Sequence, residues 1–259
     1  MPRLQPLQNK ILIMNDLSYS ANHVRTTDPH DYDHSHPDIS GGWLRAAVFG
    51  AMDGLVSNIA LIAGIGAAGA SAPVIVVTGA AGLVAGAFSM ALGEYASVKT
   101  SNEQVHSELA VEIEAHKRNP EGEVHELARH FSDMGMTEAT AAVAAREVHE
   151  NADVAARVHI TQELGVDPHS NPSPWVAAFS SFAMFGIGAA VPLIPYILGY
   201  DSLLAGLAIG GVGLLVAGGI AAKFTRKSWV TSALRQLMFG GIAVGATYLV
   251  GLLLGVSEF

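Results

Sequence analysis

Five long apolar stretches bound what this 259-residue chain can fold into. Ala70–Gly93, Trp175–Tyr200, Ser202–Ala222 and Leu237–Val256 carry no charge, and Ala46–Ala68 carries one, Asp53. About 20 helical residues, rising about 1.5 Å each, cross a hydrocarbon core of about 30 Å. The stretches are rich in Ala, Gly, Leu and Val and lack the alternation of barrel strands, so they read as transmembrane helices. The chain has no cysteine, which removes disulfides and thiolate metal sites. Its polar first forty residues lack the apolar core of a cleavable signal peptide, so the first span is expected to act as the insertion signal.

The basic residues set the expected orientation. Arg3, Lys10, Arg25 and Arg45 precede the first span. Lys99, Lys117, Arg118, Arg129, Arg146 and Arg157 lie between the second and third. Lys223, Arg226, Lys227 and Arg235 lie between the fourth and fifth. The turns near Gly69–Pro73 and Gly199–Asp201 and the tail Ser257–Phe259 carry none. The N-terminus and residues 99–174 are therefore expected in the cytoplasm, and the C-terminus outside.

Acidity is concentrated in one place. Residues 99–170 hold fourteen of the 23 acids and only six bases. This segment reads as three helices. The first continues out of the second span to about Arg118. Asn119 caps the next, with Pro120 at its first position and Gly135 ending it. Thr137 caps a third that runs to Leu164, where Gly165 and Pro168 stop it. Asn171-Pro-Ser-Pro then leads to Trp175, an interfacial aromatic. Pro192 and Pro195 are expected to kink the third span. Gly82-x-x-x-Gly86 and Gly241-x-x-x-Gly245 permit close helix approach, either within one chain or at a dimer seam.

Candidate chemistry follows from charge in unusual places. A carboxylate near mid-membrane costs roughly 2.5–3.5 kcal/mol on insertion scales. Asp53 therefore reads as a station on an ion path, the alternative being an interfacial side chain that snorkels or caps. Ser57 shares its face. In the second span Gly86, Met90, Glu94 and Ser97 form one stripe. A thioether beside carboxylates favours a softer transition ion such as Fe2+ over Ca2+ or Mg2+.

The acidic helices repeat acid and histidine one turn apart. Glu108, Glu112 and His116 lie in one stripe, and Glu123, Glu126 and His130 in another. His149 with Asp153, and His159 with Glu163, form i,i+4 pairs. These stripes suit divalent metal ligation, with a solvated acidic surface as the alternative. A ferritin-like di-iron centre needs two Glu-x-x-His motifs, and only Glu103-x-x-His106 fits, which argues against ferroxidase chemistry. The tail cluster His30, Asp31, Asp33, His34, His36 and Asp38 is either a metal scavenger or a flexible polar tail without specific affinity.

Together these residues resemble the vacuolar iron transporter family over roughly residues 43–256. The strongest matches are Met52-Asp-Gly-Leu-Val-Ser-Asn-Ile-Ala-Leu and Phe88-Ser-Met-Ala-Leu-Gly-Glu-Tyr-Ala-Ser. The resemblance implies export of cytosolic Fe2+, in some members Mn2+, in exchange for protons. It also implies a dimer of five-span subunits with the ion path along the subunit interface. Asp53 and Met90 match the family's pathway residues, and Glu112, Glu123, Glu126 and Glu163 match glutamates of its cytoplasmic metal-binding domain. Three positions depart. Gly82 stands where plant members have a glutamate, so Glu94 is expected to take that role. Ala115 replaces a metal-domain glutamate, with Glu114 and His116 beside it. His159-Ile160 replaces a methionine pair, which hardens the ligand set and widens the candidate ions to Mn2+, Co2+ and Zn2+.

The expected architecture is all-α, with five transmembrane helices and a three-helix cytoplasmic metal-binding domain inserted between the second and third spans. Its divisions are a disordered tail at 1–42, spans one and two at 43–98, the inserted domain at 99–174 and spans three to five at 175–256. The expected activity is proton-coupled transport of Fe2+ or Mn2+ by a homodimer in a bilayer, with no enzymatic step, prosthetic group or nucleic-acid partner. The alternatives are a channel without proton coupling, a membrane-anchored ferroxidase and a metal sensor. The compartment is expected to be the cell membrane in a prokaryote and the vacuolar membrane in a eukaryote.

Overall fold

The computed structural model describes residues 42–168, 170–225 and 227–255, which fall within one compact unit, Ile39–Phe259. The expected tail, with its histidine and aspartate cluster, lies outside the described residues. In chain order the helices are α1 (Trp43–Ala67), α2 (Ala72–Arg118), α3 (Pro120–Asp133), α4 (Glu138–His149), α5 (Ala152–Leu164) and α6 (Pro174–Ala190). A 3-10 turn at Val191–Leu193 follows, then α7 (Ile194–Ile197), α8 (Leu203–Thr225) and α9 (Trp229–Gly255). No strand occurs among the described residues.

Five of these segments are long and apolar enough to cross a membrane: α1, α2, Pro174–Ile197, α8 and α9. Their outward faces carry large exposed apolar side chains such as Leu92, Phe179, Leu204 and Leu253. A surface of this kind is stable against lipid, not water. The fifth span begins at Trp229, earlier than the expected Leu237, so Arg235 lies inside its helix. One charge did not interrupt the helix, because α9 has no breaker before Gly240.

The bundle is organised on α1, which packs against α6, α9, α8 and α2. The backbones of α1 and α6 touch: a Cβ on Gly54 would strike the Phe185 carbonyl, and one on Gly188 would strike that of Ala51. Two polar ties fix the same core. Asn58 Nδ2 donates to the Ala189 carbonyl on α6, and Thr247 Oγ1 on α9 donates to the Ala60 carbonyl at 2.6 Å. Pro192 and Pro195 break the third span as expected, through the 3-10 turn into α7. Gly82 and Gly86 are consumed within the chain, facing Leu61 and Phe185, whereas a Cβ on Gly241 or Gly245 would meet nothing within 4 Å among the described residues.

At 47 residues, α2 is about 70 Å long, over twice the apolar thickness of a bilayer. From Lys99 onward it turns polar and continues beyond its apolar half, where α3 and α5 pack on it and α4 packs on α3 and α5. Leu127, Phe131, Ala141 and Ala145 form the small core there. The expected caps are present: the Asn119 side chain accepts from Gly122 N–H, and that of Thr137 from Thr140 N–H. The expected single helix from Thr137 to Leu164 is not. It breaks at Glu150–Asn151, because the Asn151 side chain accepts from the Asp153 and Val154 N–H groups and starts a new helix. The inserted segment thus comprises the polar half of α2 and three further helices, not three helices in all.

Candidate functional site: an intramembrane cavity and a histidine–carboxylate cluster

Between α1 and α2, closed on one side by Phe185 of α6, lies a cavity of about 550 Å³. Asp53, Ser57 and Asn58 line it from α1, and Met90 and Glu94 from α2. The whole expected stripe of Gly86, Met90, Glu94 and Ser97 faces it. Ser57 Oγ donates to Asp53 Oδ1 at 3.3 Å, as two residues one helical turn apart can. Asn58, further round the helix, shares the cavity as well.

The two cavity carboxylates differ in partnership. Glu94 is buried at 7% exposure and receives Arg45 Nη2 at 3.1 Å from the start of α1. Asp53 has no basic partner among the described residues. Arg45, read from sequence only as a topogenic charge, is therefore part of the site. Arg45→Gln leaves Glu94 buried and unpaired. The variant is expected to lower the melting temperature of the metal-free protein by several degrees, roughly 1–2 kcal/mol. Addition of Mn2+ restores it, since a divalent ion replaces the lost positive charge. Differential scanning fluorimetry in detergent measures both.

The second site is assembled outside the apolar slab from four helices. Glu112 and His116 come from α2, Glu123, Glu126 and His130 from α3, His149 from the end of α4, and His159 and Glu163 from α5. His159 is fully buried and stands at the centre. Its Nδ1 lies 3.2 Å from Glu112 Oε1, 3.3 Å from Glu163 Oε1 and 3.9 Å from Glu123 Oε2. Its Nε2 lies 3.4 Å from His149 Nε2. Three groups have ligand atoms close enough to share an ion: Glu112–Glu123–His159, Glu126–His130–Glu163 and His116–His149–His159. Glu108 is half-buried and stays outside all three, acting on Glu163 through its charge.

Crowding of like charges out of water perturbs these groups. Burial first, then the carboxylates of Glu163 and Glu123, pushes Glu112 up to about 7. Burial and the Glu126 carboxylate also raise Glu163. Burial first, then the imidazoles of His116 and His149, holds His159 down at about 4. The cluster is thus a set of oxygen and nitrogen donors around the buried Glu112 and His159, where burial and then like charges oppose ionisation. A divalent cation relieves that frustration.

The expected i,i+4 pairs Glu112–His116 and His159–Glu163 form, at 3.4 Å and 3.3 Å. The expected His149–Asp153 pair does not, because the helix breaks between them. Asp153 sits exposed in the first turn of α5, and His149 turns instead to His116 and His159. Periodicity marked His149 only with Asp153, because its actual partners come from other helices.

The VIT family model matches residues 44–252. A protein of Acanthamoeba castellanii named vacuolar iron transporter is 33% identical over 219 residues, covering 83% of this chain and 79% of its own length. VIT-like transporter 1b of Glycine max is 32% identical over 218 residues, covering 83% and 77%. Vacuolar iron transporter 1 of Arabidopsis thaliana is 27% identical over 212 residues, covering 81% and 85%. These relatives are named as transporters, not enzymes. The chain is a multi-pass membrane protein and belongs to the VIT family.

Proposed function

We propose that the protein is a proton-coupled divalent metal transporter that exports cytosolic Fe2+, with Mn2+ as the second candidate cargo. The observation that carries this reading is the cavity between α1 and α2, where Asp53, Met90 and Glu94 converge within the apolar part of the bundle. Such a mixed oxygen and sulfur lining suits a transition ion better than Ca2+ or Mg2+. The names of the relatives support iron as cargo.

In this reading the N-terminus and residues 99–174 are cytoplasmic, supported by the one-sided distribution of Lys and Arg. Residues 99–174 then act as a collecting domain. Glu108, Glu112, Glu123, Glu126, His130 and Glu163, with His159 and His116 beside them, gather and partly dehydrate the ion. The ion passes to Glu94, displacing Arg45, and on to Asp53 and Met90. Protons compete with the metal for the same carboxylate oxygens, so an ion arriving releases protons and an ion leaving admits them. That competition couples the two fluxes. A homodimer would wall the open side of the cavity with a second copy of α1 and α2. The membrane is the cell membrane in a prokaryotic source and the vacuolar membrane in a eukaryotic one.

The test uses the full chain in proteoliposomes with a pH dye inside. Fe2+ entry accompanied by proton exit, and accelerated by an acidic interior, supports the reading. Metal entry indifferent to the pH difference points to a channel. Oxygen consumption on adding Fe2+ points to a ferroxidase.

A further inference from the structure

Three imidazoles from three different helices meet at the inner corner of the inserted domain. His116 and His149 stack with ring centroids 5.0 Å apart and planes 25° from parallel. His159 stands nearly perpendicular to both, at 84° and 89°. One ring nitrogen from each lies within 4.8 Å of the others.

The backbone fixes where their protons sit. His116 Nδ1 is 2.8 Å from the Glu112 carbonyl, and His149 Nδ1 is 2.7 Å from the Ala145 carbonyl. A carbonyl only accepts, so both Nδ1 atoms carry the hydrogen, and in the neutral rings both Nε2 atoms are bare lone pairs. His116 Nε2 is buried and has no hydrogen-bond partner among the described residues. The third ring follows the same pattern through carboxylates. With its proton on Nδ1, His159 donates to Glu163, with the Glu112 carboxylate 3.2 Å away, and turns a lone pair toward His149. Imidazole N–H groups held by carbonyls and carboxylates, with the opposite nitrogens converging, are the outer-shell arrangement of histidines that ligate metal.

We infer that His116, His149 and His159 form a three-nitrogen site for a borderline divalent ion of the Zn2+ and Co2+ class, distinct from the carboxylate groups beside it. Tetrahedral Zn–N bonds of about 2.0–2.1 Å place ligand nitrogens about 3.3–3.4 Å apart. The 3.4 Å between His149 and His159 Nε2 meets that spacing, and a small swing of the His116 ring closes the third corner. Neutral nitrogen donors favour this class over Mn2+, Mg2+ or Ca2+. The neighbouring Glu112 and Glu163 carboxylates balance the ion's charge through the His159 ring. Because the ligands come from α2, α4 and α5, the ion also staples the inserted helices together.

The inference goes beyond the transport reading and its test needs no transport. Zn2+ and Mn2+ titrations are run on the full chain in detergent, by calorimetry, for the wild type, His149→Gln and Asp53→Asn. His149 belongs to neither carboxylate group, so its loss separates the two kinds of site. His149→Gln is expected to weaken Zn2+ binding at least about tenfold and to leave Mn2+ binding within about twofold. Asp53→Asn removes a pathway carboxylate and is expected to keep the His149-dependent component of Zn2+ binding even where it stops flux. Wild-type Zn2+ affinity in His149→Gln, or an equal loss of Zn2+ and Mn2+ binding, overturns the site. Co2+ added to the wild type gives a second reading that survives any folding failure of the variant. An intense visible absorption from a tetrahedral nitrogen-rich ion is expected, and only the weak spectrum of six-coordinate oxygen-ligated Co2+ would contradict the proposal.

Discussion

Asp53→Asn is expected to cut Fe2+ or Mn2+ flux into proteoliposomes on the order of 100-fold or more, since losing even an outer-shell partner of a metal ligand costs about 10–100-fold. Two carboxylates line the cavity, and Arg45 already neutralises Glu94 at 3.1 Å. In the proposed transport cycle Asp53 is then the charge that compensates a divalent ion where the surroundings are apolar. Asparagine keeps the shape and one oxygen but not the charge. Asp53 is half-buried and has no ion-pair partner among the described residues, so removing its charge does not harm the fold and the variant's melting temperature stays at or above the wild-type value. Flux and thermal unfolding, measured on the same preparation, separate a lost conduit from a lost fold. Wild-type flux in the variant would remove Asp53 from the ion's route.

Glu112→Gln has the second largest expected effect, and pH reveals its sign. The Glu112 carboxyl is raised from 4.5 to about 7. A raised acid adds stability that is fully present below about 4.5 and lost as pH rises through about 7. Above that, the folded metal-free protein holds a buried negative charge among Glu123 and Glu163. Glutamine mimics the protonated form at every pH. The variant is therefore expected to match the wild type near pH 5 without metal, and to exceed it at pH 8 by about 2–3 kcal/mol. Metal reverses the order. An ion needs the ionised carboxylate, so wild-type Mn2+ affinity is level above about pH 7 and falls up to tenfold per unit below it. In Glu112→Gln that part of the pH dependence disappears, along with at least about tenfold in affinity. Denaturation with and without Mn2+ at pH 5 and pH 8 tests both halves. A variant less stable than the wild type at pH 8 without metal would contradict the charge argument.

The sequence made some parts of this structure legible because their causes are local. Uninterrupted apolar runs gave the spans, and Asn119-Pro120, Thr137 and Gly165 gave helix ends through hydrogen bonds to near neighbours. The 3.6-residue period put Gly86, Met90, Glu94 and Ser97 on one face, and they line one cavity. Other features depend on what folding brings near. Asn151 interrupts a sequence with no Gly or Pro at that point, so its capping role was hidden. Arg45 and Glu94 pair across 49 positions. His149 joins His116 and His159 only because α4, α2 and α5 converge. Helical stripes identify which residues share a face, but not which faces meet.

The absence of native cysteine allows a direct measurement of whether the cavity is the ion's path. Ser89 lines it beside Met90. Ser89→Cys, first verified to carry Mn2+ in proteoliposomes, is treated with a small water-soluble thiol reagent with and without Mn2+. If the ion travels between α1 and α2, modification stops the flux and Mn2+ slows the modification. A cysteine that is fully modified while Mn2+ flux continues unchanged would place the route elsewhere.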